Sequence, residues 1–215
     1  MTSDEFAAFR IDYGDVALRR GDLPDAPLGL FREWMKEAEA AGVREPNGMA
    51  LATCGGDGQP HCRVVLLKQL DEHGFGFFTN KESAKGAQLR ENDKAALTFW
   101  WEAPRARQVR VEGAIVEMPA AASDAYFASR PRRAQLCSAA SPQSRRVEDR
   151  AALEALVGAL ESEVGDGPVA RPAHWGGYVL RPSMIEFWQG RDGRLHDRFR
   201  YEQRGGAWVM DRLAP

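Results

Sequence analysis

Residues 49–79 read MALATCGGDGQPHCRVVLLKQLDEHGFGFFT. Three runs in this stretch, Met49–Cys54, Cys62–Leu67 and Phe75–Thr79, are mainly apolar, and the sequences GGDG and DEHG separate them. Short runs of this kind joined by Gly- and Asp-rich turns are typical of β-hairpins. GGDG lacks the Lys-Ser/Thr of a nucleoside-triphosphate loop, which also favours a turn. The stretch therefore predicts three strands of an antiparallel sheet.

The sequence on either side adds strands and a few helices. Leu28–Ala41 has apolar residues at helical spacing and is followed by Gly42, which predicts an amphipathic helix. Further helices are predicted at Ser83–Glu91, Ala120–Ser129 and Glu148–Glu163, and further strands at Ala95–Trp101, Gln108–Glu117, Gly177–Leu180, Met184–Trp188 and Ala207–Leu213. Closure removes exposed sheet edges, so we predict a mainly β, α+β fold: an antiparallel, closed or partly closed barrel with flanking helices.

Two segments lack a clear pattern. Residues 1–24 are polar and mixed in charge, which predicts an N-terminal arm or a loose helix. Arg130–Arg150 is rich in Arg, Pro and Ala, and we interpret it as either a long functional loop or a disordered linker. We predict that residues 1–215 form a single domain.

Composition excludes several classes of function. The 215 residues carry 29 basic and 31 acidic side chains, and the net charge of −2 argues against nucleic acid as the main partner. The sequence shows neither a secretory signal nor an apolar run of about 18 residues, so we expect a cytoplasmic protein without a membrane partner. Cys54, Cys62 and Cys137 are an odd number at wide spacing, which predicts reduced thiols and no metal site.

Two basic segments in the middle of the chain are candidate anion sites. Arg63 and Lys68 bracket an apolar run, and on a regular strand their odd spacing projects them from opposite faces. Each then serves a different anion, or both simply stay in water. Ser83 and Lys85 open a predicted helix whose N–H groups suit a phosphate, although most such helix starts bind only water.

Arginines also concentrate between residues 130 and 146. Arg130, Arg132 and Arg133 follow the predicted helix that contains Tyr126, and two more arginines lie at 145–146. A cluster of this kind forms either a bidentate phosphate site or a solvated basic surface.

A last basic segment lies near the C-terminus. Arg194, His196 and Arg198 occupy alternate positions, so an extended segment would aim all three side chains the same way. With Trp188 nearby, this pattern favours a planar anionic ligand. The sequence has no Gly-x-Ser-x-Gly motif, so it does not indicate a serine hydrolase.

Six motifs occur in one order along the chain. They are RVVLLK at 63–68, FTN at 78–80, RQV at 107–109, SRPR at 129–132, FWQG at 187–190 and RLHDR at 194–198. In this order they resemble the pyridoxine/pyridoxamine 5′-phosphate oxidase family, as does the ending DRLAP. The resemblance runs from Arg10 to Pro215.

The resemblance implies a split β-barrel homodimer with two FMN molecules held between the subunits. It assigns Arg63, Lys85 and Ser144 to the FMN phosphate or its surroundings. It assigns the rest of the flavin site to Val64, Val65, Leu66, Lys68, Phe78, Thr79, Gln108, Gln143, Trp188 and Arg198. Lys68, Tyr126 and Arg130 would hold the substrate phosphate, Arg194 and His196 would form the catalytic set against the pyridine ring, and Arg10 and Tyr13 would close over the substrate.

The implied reaction is oxidation of pyridoxamine or pyridoxine 5′-phosphate to pyridoxal 5′-phosphate, with oxygen as acceptor and hydrogen peroxide as product. Two alternatives stay open: a same-fold oxidase of the phenazine-biosynthesis type, and a non-catalytic flavin- or haem-binding split barrel. The phenazine-type alternative is disfavoured by the residues expected to bind the B6 phosphate, namely Lys68, Tyr126, Arg130, Arg194 and His196.

Two positions and the length of one segment depart from the family pattern. Ala84 stands where many members have an arginine at the flavin phosphate, and Ala134 stands where many have a serine at the substrate phosphate. The segment Trp101–Gln108 is one residue longer. Arg132 or Arg133 is a candidate to compensate for Ala134.

Overall fold

The structure is a computed structural model that describes residues 1–9 and 11–215. Its helices are α1 Ser3–Ala7, α2 Pro27–Ala40, α3 Ala84–Glu91, α4 Ala120–Ser129, α5 Arg132–Ala140 and α6 Arg150–Val164. Its strands are β1 Gly48–Cys54, β2 Pro60–Leu66, β3 Gln69–Asp71, β4 Gly74–Asn80, β5 Lys94–Trp101, β6 Arg107–Glu117, β7 Trp175–Gln189, β8 Asp197–Arg204 and β9 Ala207–Leu213. Short 3₁₀ turns cover Arg20–Asp22 and Asp192–Arg194.

The strands hydrogen-bond in the order β2-β1-β5-β6-β7-β4-β3, while β8 pairs with β7 and β9 pairs with β8. The predicted mainly β fold with flanking helices is thereby confirmed. The chain divides into two compact units. Unit 1 comprises residues 1–49, 97–112 and 183–215, and unit 2 comprises residues 50–96 and 113–182. That residues 1–215 form a single domain stays a prediction.

Unit 2 is organised around β4. This strand pairs antiparallel with the first part of β7, from Phe75 opposite Leu180 to Asn80 opposite Trp175. Phe75, Phe77 and Leu180 are fully buried, and burial of each such side chain contributes about 1.5–3 kcal/mol. The buried residues fix the strand, so the side chains at its end are held in place.

Unit 1 is organised around α2. Phe31 packs edge-on against Phe99 at 4.9 Å, and Trp34 packs edge-on against Phe187 at 5.1 Å. All four rings are buried, so the apolar stripe that predicted this helix is its core-facing side.

The prediction of a loop or linker across residues 130–150 is wrong for residues 132–140, which form α5. Pro131 stands at the N-cap, where its fixed backbone suits a helix start. Leu136 anchors the helix and is fully buried. This helix was not predicted because its sequence has one large core residue, Leu136, and no apolar stripe.

Two strand predictions also need correction. The runs predicted at residues 177–180 and 184–188 belong to one continuous strand, β7, because the chain stays extended through residues 181–183. β8 was not predicted, since DRFRYEQR is dominated by charge. Its apolar residues Phe199 and Tyr201 are nevertheless fully buried at alternate positions.

Candidate active site

A cavity of about 350 Å³ lies in unit 2. It brings together residues from β2, β4, β7, α3, α4 and α5, and from the segments that follow β2, α4 and α5. The predicted site residues that line it are Arg63, Val64, Val65, Leu66, Lys68, Phe78, Thr79, Lys85, Tyr126, Arg130 and Gln143. Four of these are cations, and no carboxylate is among the described residues that line the cavity. The cavity is therefore suited to anionic ligands.

Arg63 on β2 is held entirely by neutral oxygens. Its Nη1 donates to the Leu51 carbonyl at 3.1 Å and to Thr53 Oγ1 at 2.6 Å, and its Nη2 donates to Gln88 Oε1 at 3.1 Å. The Thr53 hydroxyl also donates to Gln88 Oε1, at 2.7 Å. Within the described part of the chain, no carboxylate forms an ion pair with Arg63, and burial lowers the pKa of its guanidinium. Its full charge is left for a ligand.

Lys85 sits in the first turn of α3. Ser83 caps this helix through a hydrogen bond from Gly86 N. A β-carbon at Gly86 would lie 2.1 Å from the Lys81 carbonyl oxygen, so only glycine allows the helix to begin this close to the preceding turn. Lys85 Nζ donates to Gln143 Oε1 at 2.8 Å and to Thr79 Oγ1 at 3.2 Å. Burial, and then the charge of Arg63, lower the Lys85 pKa, which indicates two nearby cations without a counter-ion.

Arg130 follows α4 and lies against an aromatic surface. Its guanidinium is 5.0 Å from the Trp175 ring centroid, and its Nη2 donates to Ser138 Oγ at 2.9 Å. Arg130 Nη1 is buried and has no hydrogen-bond partner among the described residues. Burial lowers the pKa of this guanidinium. A buried donor without a partner costs about 1–3 kcal/mol, which a bound anion would recover.

The aromatic surface consists of three rings. Phe78 stacks on Tyr126 with the ring centroids 4.1 Å apart and on Trp175 with the centroids 5.3 Å apart. The interplanar angles are 20° and 8°. The three rings therefore stack on one another, and this aromatic stack adjoins the cations of the same cavity.

Arg63 and Lys68, which were predicted to project from opposite faces of a strand toward different anions, both line this one cavity. β2 ends at Leu66, so the strand alternation does not reach Lys68. Lys68 is exposed, and its backbone N–H donates to the Gly76 carbonyl at 2.8 Å.

A second group of predicted residues lies in unit 1. Tyr13 packs edge-on against Trp188 at 5.8 Å and against His196 at 5.7 Å. A β-carbon at Gly190 would lie 2.6 Å from the Tyr13 ring, so this glycine lets the N-terminal segment lie close to the turn. His196 also lines a cavity of about 450 Å³ near the C-terminal residues 213–215.

His196 is held in its neutral form. The backbone N–H of Arg191 donates to His196 Nδ1 at 3.0 Å, so this nitrogen carries no proton. Burial, and then the charge of Arg194, lower the pKa of the imidazole. The neutral ring keeps one N–H donor for a ligand.

The prediction that Arg194, His196 and Arg198 share an extended segment is wrong. Arg194 ends a 3₁₀ turn with φ at 63° and is exposed, whereas Arg198 lies within β8. Arg198 Nη2 donates to the buried carboxylate of Glu186 at 3.0 Å, so its charge is already paired. The positive φ of Arg194 could not be foreseen from the alternate spacing.

The remaining predicted residues are placed as follows. Gln108 is half-buried on β6 in unit 1, and Ser144 is exposed with φ at 71° next to Gln143 in unit 2. Arg10 lies outside the described residues. Binding roles for all of the predicted residues stay predictions.

Sequence reasoning missed Gln88 and Ser138. Gln88 lies one helical turn after Lys85 on α3, and Ser138 lies one turn after Ala134 on α5. Helical spacing from Lys85 and Ala134 places these residues on the same helix faces, but it does not show that their side chains contact Arg63 and Arg130. Among the described residues, no group of three or more His, Cys, Asp or Glu side chains could hold a metal ion. No described helix is long and apolar enough to cross a membrane.

The fold and the cavity define a split-barrel protein with a cavity lined by four cations. PhzG from Burkholderia lata 383, solved in complex with tetrahydrophenazine-1-carboxylic acid, superimposes with a TM-score of 0.87 at 34% identity. That comparison covers 94% of this chain and 100% of PhzG. A pyridoxamine 5′-phosphate oxidase-related, FMN-binding protein from Nostoc punctiforme has a TM-score of 0.70 at 18% identity, with 88% and 98% of the chains covered, which shows the shared fold.

The sequence comparisons are more specific. Residues 35–161 match the family described as pyridoxamine 5′-phosphate oxidase, and residues 175–215 match the pyridoxine 5′-phosphate oxidase C-terminal dimerisation region. The pyridoxine/pyridoxamine 5′-phosphate oxidases of Salinibacter ruber and Pseudomonas paraeruginosa are each 50% identical. They cover 98% and 99% of this chain and 99% and 100% of their own lengths. The chain belongs to the pyridoxamine 5′-phosphate oxidase family.

Proposed function

We propose that the protein is an FMN-dependent oxidase that converts pyridoxamine 5′-phosphate and pyridoxine 5′-phosphate to pyridoxal 5′-phosphate. The observation that carries the proposal is the cavity of unit 2, whose described lining combines four cations and no carboxylate with a stack of aromatic rings. Such a lining suits phosphate esters of planar ring compounds. Membership of the family gives the reaction class.

The residues present fit FMN. Arg63 and Lys85 are two close cations that have no counter-ion among the described residues, and burial lowers the pKa of each, so a phosphate dianion would relieve the cost of their burial. Ala84 is exposed at the first position of α3 and adds no donor beyond its backbone. The affinity for the FMN phosphate therefore depends on Arg63, Lys85 and the atoms that hold them.

The other cations are assigned to the substrate. Arg130 and Lys68 would bind its phosphate, and the ring of Tyr126 would contact its apolar part. Arg194 and His196 would orient the amine or hydroxyl carbon, as the resemblance implies. Fixing the phosphate and the ring together restricts the reacting carbon to a narrow range of positions, which is how binding residues accelerate a reaction.

When bound, FMN supplies the acceptor for a hydride from the carbon that bears the amine or hydroxyl, and oxygen carries the two electrons away as hydrogen peroxide. For pyridoxamine 5′-phosphate, water then replaces the nitrogen, which leaves as ammonia. The protein binds, orients and shields the substrate.

We also propose a homodimer. The match of residues 175–215 to a dimerisation region supports it. Val64 in the cavity lining is 72% exposed and Trp100 is 50% exposed, which are surfaces that a second subunit would cover.

Two measurements on the purified protein test the proposed reaction. We expect denatured protein to release FMN and not FAD, and we expect pyridoxamine 5′-phosphate with oxygen to yield equal amounts of pyridoxal 5′-phosphate and hydrogen peroxide. Release of FAD, or no product from either B6 phosphate, would overturn the proposal.

A second candidate function follows from the similarity to PhzG. Its ligand, tetrahydrophenazine-1-carboxylic acid, is also a ring compound with an acidic group, so an oxidase for a tricyclic carboxylic acid is the alternative. Parallel assays with this acid and with pyridoxamine 5′-phosphate separate the two. Faster oxidation of the tricyclic acid would favour the alternative.

A further inference from the structure

Ala134 and Ser138 occupy the same face of α5, one turn apart. Of the two, Ser138 lines the cavity of unit 2 and contacts Arg130. We propose that Ser138 supplies a hydroxyl donor to the substrate phosphate beside Arg130. This inference rests on the proposed function and names a further binding residue of the same site.

The hydrogen bonding around Ser138 leaves a donor available. Ser138 Oγ accepts from Arg130 Nη2 at 2.9 Å, so one lone pair is used while the O–H has no acceptor among the described residues. A serine hydroxyl has one donor and two acceptor positions. The adjacent Arg130 Nη1 is buried and also lacks an acceptor in the described part of the protein.

Two neighbouring donors without acceptors fit a phosphate monoester. Its oxygens accept several hydrogen bonds at once, so one group would satisfy both Arg130 Nη1 and the Ser138 hydroxyl. Trp175 lies under the guanidinium and shields it from water, which strengthens a charged hydrogen bond.

The arginines considered as compensation for Ala134 are engaged elsewhere. Arg132 donates to the carbonyl oxygens of Gly165 and Gly167, the latter at 2.6 Å. Arg133 lies 3.7 Å from the carboxylate of Glu161. Both side chains are exposed and neither lines the cavity, so the expectation that they replace the missing serine is not supported.

The test compares Ser138→Ala with Ser162→Ala, an exposed serine on α6 whose hydroxyl bonds to the Gly158 carbonyl. Binding of pyridoxamine 5′-phosphate and of unphosphorylated pyridoxamine is measured by anaerobic calorimetry on protein whose bound FMN has been reduced beforehand, so that no hydride transfer accompanies binding. Inorganic phosphate serves as a competitor. Steady-state kinetics give KM and kcat.

We expect Ser138→Ala to weaken binding of pyridoxamine 5′-phosphate about tenfold, because a hydrogen bond to a charged group is lost. FMN content should stay at the wild-type level, and binding of pyridoxamine should not change. Most of the kinetic loss should appear in KM. The double variant Ala134→Ser with Ser138→Ala should regain part of the affinity, since it returns a hydroxyl to the same helix face one turn away.

Equal affinity in Ser138→Ala and Ser162→Ala would overturn the inference, and so would an equal loss for both ligands. If the wild-type protein binds pyridoxamine 5′-phosphate without oxidising it, the proposed function fails, while the binding data still decide the role of Ser138. If the wild-type protein binds neither pyridoxamine 5′-phosphate nor inorganic phosphate, both the proposed function and the role of Ser138 are rejected.

Discussion

Gln88 holds Arg63 through a neutral oxygen, and the neutrality matters as much as the hydrogen bond. Gln88 Oε1 accepts from Arg63 Nη2 and from the Thr53 hydroxyl. A glutamate would keep these bonds but neutralise the guanidinium and repel a phosphate. A glutamine at this position therefore positions Arg63 without consuming its charge.

We predict that Gln88→Glu weakens FMN binding by at least about tenfold. The introduced carboxylate would repel the FMN phosphate a few ångströms away in a partly buried site, and this repulsion should exceed about 1.4 kcal/mol. Quenching of FMN fluorescence on titration with apoprotein measures the Kd. Gln203→Glu on β8, an exposed position, is the control. An unchanged Kd in Gln88→Glu would remove Arg63 from the phosphate site.

The imidazole of His196 gives a pH prediction. Its pKa in the folded protein lies below the ordinary value of 6.5, so the unfolded chain binds the proton first as the pH falls. The stabilising bond from the Arg191 N–H is therefore complete above pH 6.5 and is lost as the pH drops through the lowered folded pKa.

NMR titration of the imidazole should give a midpoint below 6.5. Arg194→Ala should raise this midpoint, because it removes a nearby positive charge, whereas Arg204→Ala should not. A wild-type midpoint at or above 6.5 contradicts this account of the site.

At the scale of elements, the turn at Asp192–Arg194 carries a strained residue. Arg194 has φ at 63°, where a side chain costs about 1–2 kcal/mol and glycine costs little. An arginine kept in this conformation suggests that its side chain is required at the turn.

We predict that Arg194→Ala and Arg194→Gly both lower kcat/KM by at least about a hundredfold with FMN retained, because an orienting contact is lost. His196→Ala should have a smaller effect of the same kind. Urea denaturation should show Arg194→Gly to be at least as stable as Arg194→Ala, since glycine relieves the strain. Wild-type kinetics in both Arg194 variants would exclude a catalytic role.

Elements with a strong apolar period could be predicted from the sequence. α2 was predicted within a residue or two because Phe31 and Trp34 belong to a continuous stripe. β8 escaped notice because charged residues alternate with Phe199 and Tyr201, and only pairing with β7 buries those rings. α5 depends on one buried residue, and local spacing alone does not reveal such tertiary support.

The sequence predicted the cationic residues of the candidate site, but it did not predict the side chains that hydrogen-bond to them. The family resemblance pointed to Arg63, Lys85 and Arg130, which line one cavity. Side-chain acceptors such as Gln88 and Ser138 are fixed by helix placement, and the reach of Lys68 depends on where β2 ends. These facts arise from packing between elements.

At the scale of the whole molecule, we predict a homodimer. Light scattering should give a mass of twice the 23.8 kDa of one chain, in the presence and absence of FMN. Exposed apolar side chains such as Val64 and Leu195 would then be covered, which a monomer would leave in water. A monomer with full activity would contradict this prediction.

The central claim is that the protein transfers hydride from a phosphorylated B6 compound to bound FMN. Anaerobic stopped-flow spectroscopy tests it most directly, by following the visible flavin absorption after mixing with pyridoxamine 5′-phosphate. We predict that the absorption bleaches completely with this compound, slowly or not at all with unphosphorylated pyridoxamine, and returns when oxygen is admitted. A flavin that stays oxidised with both pyridoxamine 5′-phosphate and pyridoxine 5′-phosphate would contradict the claim.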